Sequence, residues 1–210
     1  MTGRSLGKLL MACLVLIAVG SYAQVPGPTG GPTQPGGKEW STAIEGPAYT
    51  QDGRLQYPEH YREWVYLSSG MDMSYTESSG MAGHSMFDNV FAEPEAYREF
   101  VKTGHWPEGT VLALEVRAAA QKGSINKQGR FQTAEVMGFE VHVKDTKRFP
   151  GGWAFFNFRS PEPAKMIPMS EDCYSCHRDH AAVDTTFVQF YPTLLPIATQ
   201  KGTLSASYGQ

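Results

Sequence analysis

Apolar and polar positions alternate most regularly from Thr110 to Arg117, with Leu112, Leu114 and Val116 on one side and Val111, Ala113, Glu115 and Arg117 on the other. A period of two marks a β-strand. The same alternation returns from Met137 to Lys144, where Phe139, Val141 and Val143 are set against Glu140, His142 and Lys144, and a polar loop over 121–130 separates the two. Trp153 to Arg159 follows a Pro-Gly-Gly turn as a third strand, rich in Phe155, Phe156 and Phe158, and Phe87 to Ala92 is again extended and apolar. Pro58 to Tyr66 predicts a short helix or turn running into a first strand, and the Ser/Gly/Met-rich residues 68–85 predict a loop. Pro94 opens a helix at its first-turn position; Tyr97, Phe100 and Val101 share one face, and Gly104 ends it. Pro161, Pro163 and Pro168 lead into a second helix. Asp184 begins a last one, with Phe187, Phe190, Tyr191 and Leu194 on one side and a break near Pro192 to Pro196. Strands first and helices after them give an α+β domain, an antiparallel sheet with flanking helices and a C-terminal helix that carries the chemistry.

That second helix contains Cys173-Tyr-Ser-Cys176-His177, the C-x-x-C-H pattern of covalently attached haem c. Two thiols one helical turn apart can each add to a porphyrin vinyl group, and the adjacent His177 then lies beneath the iron as its proximal ligand. Ser170 is the expected N-cap, with Glu171 and Asp172 in the first turn, where the helix dipole favours negative charge. Other uses of the motif remain open. A redox C-x-x-C pair would sit beside a βαβ unit, which the pattern lacks. Zinc could take Cys173, Cys176, His177 and His180, but ligands crowded into eight residues, two of them adjacent, suit a tetrahedron poorly. A simple disulfide would leave His177 without a role.

Composition changes the picture at the N-terminus. Arg4 and Lys8, the apolar run Leu9 to Val19 and Ser21-Tyr-Ala23 form the three parts of a secretory signal peptide, residues 1–23. Cys13 falls inside the apolar run, too early for a lipoprotein site. The whole chain has 18 basic and 21 acidic residues; without Arg4 and Lys8 it has 16 against 21, a formal charge of −5, which offers nothing to nucleic acid or an anionic membrane. Signal cleavage also removes Cys13, so both remaining cysteines belong to the haem motif. An exported chain with no other cysteine is not a disulfide scaffold. Residues 24–38 are a Pro/Gly-rich tether within a 24–56 lead-in, 57–200 form the haem-binding domain, and 201–210 are a tail. The expected location is periplasmic or secreted.

The sixth iron ligand decides what such a haem does. A strong His or Met makes an electron carrier, whereas an open apolar side makes a centre that binds gases or small substrates. His180 follows His177 by one turn and should be exposed, His142 alternates with core residues and should face water, and His60 and His105 flank helix ends. His84 is the distal candidate among the histidines. Met71, Met73, Met81, Met86, Met166 and Met169 read as packing rather than ligands.

Several segments together resemble the cytochrome P-460 family: Tyr61-Arg-Glu-Trp-Val-Tyr66, Phe87-Asp-Asn-Val-Phe-Ala-Glu-Pro-Glu-Ala-Tyr97, Thr103-Gly-His-Trp-Pro-Glu-Gly-Thr110, Gly138-Phe-Glu-Val-His-Val-Lys-Asp145, Gly152-Trp-Ala-Phe-Phe156, and Cys173-x-x-Cys176-His177 followed by Phe187-x-x-Phe-Tyr-Pro192. The match runs from about residue 57 to 196. The resemblance implies a homodimer with an antiparallel sheet, a five-coordinate haem and a mainly apolar distal pocket. It also implies one of two activities, hydroxylamine oxidation in the P-460 enzymes or nitric oxide binding in the cytochromes c′-β. P-460 enzymes bond a lysine to the porphyrin. The matching position here is Leu114, and no lysine lies between Lys102 and Lys122. Phe87 matches a phenylalanine that caps the distal side in c′-β proteins, with ordinary core packing as its other reading. The sequence therefore favours a mono-haem protein that binds nitric oxide or a related nitrogen oxide. P-460-type oxidation, served by a redox partner protein, and simple electron transfer are the alternatives. For oxidation the nearest bases are Glu115 and Glu140, which alternation sets opposite the apolar faces.

Overall fold

The computed structural model describes residues 46–73, 85–206 and 208. The expected signal segment, the Pro/Gly tether and His84 lie outside the described residues. Five strands, β1 (Val65–Met71), β2 (Met86–Ala92), β3 (Val111–Ala120), β4 (Phe131–Lys144) and β5 (Trp153–Phe158), form one sheet in the order β1-β2-β3-β4-β5. Every neighbouring pair is antiparallel. With three helices, α1 (Pro94–Thr103), α2 (Asp172–His180) and α3 (Leu195–Lys201), this is the expected α+β architecture.

Helix α1 begins where Pro94 needs no backbone donor, and the buried Glu93 carboxylate accepts the Ala96 N–H at 2.8 Å. It ends at Gly104, whose φ of 79° lets its N–H reach the Phe100 carbonyl at 2.7 Å. A Cβ there would meet Lys201 and Thr203 at 2.8 Å, so glycine is required twice over.

Both faces of the sheet are covered. On one, Leu67, Ala92 and Leu112 pack with Phe100 and Trp106 against Ala182, Val183, Val188 and Leu194 from the C-terminal third. On the other, Val111, Ala113, Phe139, Val141 and Phe156 pack against Leu55, Tyr61 and Phe149. Burial on two sides accounts for successive residues that are all buried, as in 111–113 and 153–156.

The structure corrects five expectations. β1 runs on to Met71, so residues 68–71 are strand, paired with β2, rather than the start of the expected 68–85 loop. β4 starts at Phe131 rather than Met137, because residues 131–137 pair with the far end of β3 while staying largely exposed, so no apolar period marks them. Ser170 does not cap α2: the N-cap is Glu171, and no side chain caps that end. Asp184 does not start a helix either. It takes a left-handed φ of 53° in a turn closed by the Val183–Thr186 bridge, and the chain passes a 3₁₀ turn (Val188–Phe190) before α3, which Pro196 opens rather than breaks. His142, expected to face water, is buried with 8 % of its surface exposed. Among the described residues no helix is long and apolar enough to cross a membrane.

Candidate haem site

Helix α2 brings Cys173, Cys176 and His177 together over the sheet face that carries Leu112. Tyr174, between the cysteines, turns inward: its hydroxyl donates to the Ile167 carbonyl at 2.9 Å and accepts the Phe155 N–H at 3.3 Å, and its ring stands edge-on to Phe155 with centroids 4.8 Å apart. That anchor fixes the rotation of the helix. Both cysteines are half-buried and free, so the structure does not show the disulfide alternative. Burial pushes the Cys173 thiol up, with the negative charge of Glu140 among the smaller contributors in the same direction.

His177 is held on several sides. Its ring lies 4.5 Å from Phe155, 4.3 Å from Phe187 and 5.2 Å from His142, centroid to centroid. Its Nδ1 lies 2.7 Å from the Thr185 carbonyl oxygen. A carbonyl can only accept, so Nδ1 carries the proton and Nε2 is left with its lone pair, the arrangement a metal-ligating imidazole needs. Burial also pushes the His177 pKa down, which favours the neutral ring that can coordinate. Among the described residues no three His, Cys, Asp or Glu side chains are grouped to hold a metal ion.

The register identifies what else shares this face. Successive rows across β2, β3, β4 and β5 are Ala92–Leu112–His142–Phe155, Val90–Leu114–Glu140–Asn157 and Asp88–Val116–Gly138. The first row touches His177 through His142 and Phe155. The next two continue the same face as a half-buried apolar strip, Val90, Leu114 and Val116, edged by the carboxylates of Asp88 and Glu140. Glu140 is reached by solvent, yet partial burial by the surrounding protein, and then the charge of Asp88, pushes its carboxyl upward. Burial, and then Asp72, does the same to Asp88.

Two expectations about this face change. Glu140 was expected opposite the apolar residues, but the apolar face of β4 (Phe139, Val141, Val143) matches Val111 and Ala113, so Glu140 pairs with Leu114 on the Cys173 side. Phe87 pairs with Arg117 and shares the other face with Phe91 and Glu115, so the sheet separates it from Leu114 and the two do not line one pocket within this chain. His60 and His180 are exposed, and His105 lies 3.8 Å from Asp184. Met71, Met73, Met166 and Met169 are exposed. Sequence reasoning missed Thr185. It contributes through its backbone carbonyl, which leaves no trace in side-chain type.

A cytochrome P460 family model matches residues 58–188, a span holding all five strands and α2. The chain belongs to the cytochrome P460 family. A comparison with curated protein sequences returned no match. Family membership makes this a haem-binding cytochrome. The residues present fit that group: two free thiols on one helix, an imidazole with Nδ1 committed and Nε2 free, and an apolar strip beside them.

Proposed function

We propose that this protein is a periplasmic mono-haem cytochrome c that binds nitric oxide or a related small nitrogen oxide. Cys173 and Cys176 form the two thioethers, and His177 supplies the proximal nitrogen. The observation that carries this reading is Leu114. It sits mid-sheet between Val90 and Glu140 on the face under α2, where the resembling enzymes place a porphyrin-bonded lysine. Apolar walls exclude water and give no hydrogen bond to bound dioxygen or to an anion, whereas neutral nitric oxide bonds strongly to ferrous iron without one. The export signal read in residues 1–23 supports the location. The exposed Phe131, Val136 and Met137 on β4 supply apolar area for a second copy of the chain.

Optical spectra of the purified holoprotein test the reading. The ferrous form is expected to be five-coordinate and high-spin, to give an ordinary c-type pyridine haemochrome, and to change fully on adding nitric oxide. A six-coordinate low-spin ferrous spectrum without added ligand would overturn it in favour of an electron carrier.

One observation favours a second reading, hydroxylamine oxidation with electrons passed to a partner protein. Glu140, its carboxyl raised by partial burial and by Asp88, stands beside Leu114 where a base could take protons from a bound substrate. Steady turnover of hydroxylamine with an artificial electron acceptor, falling about a hundredfold in Glu140→Gln, is the result that reading requires. Absence of turnover retires it.

A further inference from the structure

We propose that His142 is a positioning residue for the proximal ligand, acting through Thr185 to aim the carbonyl that holds the His177 Nδ1–H. The proposal rests on His177 being the iron's nitrogen ligand. His142 lies on β4 in the row Leu112–His142–Phe155, stacked on Phe155 at 4.0 Å with planes 15° apart and packed on Trp153 at 4.4 Å. Packing alone does not call for a histidine here. A phenylalanine would fill the slot between those rings without the cost of burying an imidazole, which is worth carrying only where the nitrogens find partners.

The partner is informative. His142 Nε2 lies 3.3 Å from Thr185 Oγ1, and the carbonyl of the same Thr185 accepts from His177. That carbonyl belongs to the peptide between Thr185 and Thr186, in a turn that also carries the left-handed Asp184. On its far side, Thr186 Oγ1 accepts the Trp106 indole N–H at 2.9 Å and donates to the Val183 carbonyl at 2.8 Å. Both side chains flanking the peptide are therefore tied down, Thr186 to the core and Thr185 to the sheet through His142. Releasing the second tie lets the carbonyl swing while the turn itself stays closed. A weaker Nδ1–H···O bond makes the imidazole a poorer donor to iron, which disfavours the ferric state.

The test uses holoprotein carrying His142→Phe, Thr185→Val or Thr185→Ser. His142→Phe keeps the stacked ring and loses the nitrogen; Thr185→Val loses the hydroxyl and keeps the carbonyl; Thr185→Ser restores the hydroxyl. In His142→Phe and Thr185→Val the reduction equilibrium is expected to shift about tenfold towards ferrous, roughly 60 mV for one electron. The iron–histidine stretch in resonance Raman should move to lower frequency in both, and Thr185→Ser should stay near wild type. Wild-type values in both altered proteins overturn the proposal, as does a shift in His142→Phe alone, which would assign the effect to ring packing. If His142→Phe does not fold, the Thr185 pair decides by the same criteria. Wild-type protein whose ferrous covalent haem is five-coordinate but shows no iron–histidine mode would overturn the assignment of His177, and this proposal with it.

Discussion

Protein with both Cys173 and Cys176 replaced by alanine is expected to hold no haem that survives denaturation, while either single variant keeps the group on one remaining bond. The expectation follows from α2. Its two thiols are three residues apart on a helix whose rotation is fixed by Tyr174, and neither is spent in a disulfide. The third cysteine of the chain, Cys13, lies in the expected signal segment. A denaturing gel stained for haem peroxidase activity, run on protein made in a host that matures c-type cytochromes, reads the result directly. Pigment that stays with the double variant through denaturation would sink the thioether assignment. The His177→Ala variant separates attachment from ligation: its pigment should remain covalent, but its ferrous spectrum should lose the features of histidine-bound iron.

The largest effect on stability is expected at Glu115, on the opposite face of the sheet. Its side chain is 1 % exposed and surrounded by donors: Tyr61 Oη at 2.5 Å, Arg117 Nε at 2.5 Å and Nη2 at 3.1 Å, and Arg62. Burial alone would raise its carboxyl. The hydrogen bonds from Arg117 and Tyr61 and the charges of both arginines outweigh burial and hold it below the usual range. Glu115→Ala strands Arg117, whose side chain is only 15 % exposed, without its counter-charge. Arg62 is half-exposed and can turn to water, but Arg117 cannot do so without giving up its bond to the Thr133 carbonyl. Breaking one side of such a buried pair costs about 3–5 kcal/mol, which urea unfolding at neutral pH would register as a lower midpoint. The pH dependence has a definite sign. Because the folded carboxyl is lowered, its contribution is fully present above the unfolded value of about 4.3 and is lost as pH falls through the folded value. Wild-type and Glu115→Gln stabilities should therefore converge in acid. A constant gap down to the lowest accessible pH would show that the cluster acts by packing, not charge.

The helix α1, the strands and the C-x-x-C-H helix were legible because each has a local signature: Pro94 and Gly104 at the ends, a period of two, a fixed spacing of thiols. Orientation was not legible where both sheet faces are buried. In β4 the apolar residues Phe139, Val141 and Val143 mark the face covered by Tyr61 and Leu55, and alternation alone sets His142 towards water and Glu140 away from the apolar residues. Their face is covered too, so His142 is buried against His177 and Glu140 borders Leu114. Glu115 sits opposite Leu112, Leu114 and Val116 as its alternation implies, and Arg117 shares its strand, but nothing in the sequence shows that the Tyr61–Glu63 turn brings Tyr61 and Arg62 to the same carboxylate. Phe87 was assigned by resemblance to the side of Leu114, and only the β2–β3 register shows them on opposite faces.

Helix α2 has nine residues, none of them fully buried, and no side chain closing its N-terminus. A segment of that length has little intrinsic tendency to stay wound in water. No residue of α2 belongs to either of the two buried cores. On the proposed chemistry, cofactor loading and the final ordering of this segment are one linked event. The thiols can be presented on a pliable stretch to an attaching enzyme while the rest of the molecule is already built, and the bonded pigment then acts as the clasp that holds the stretch closed.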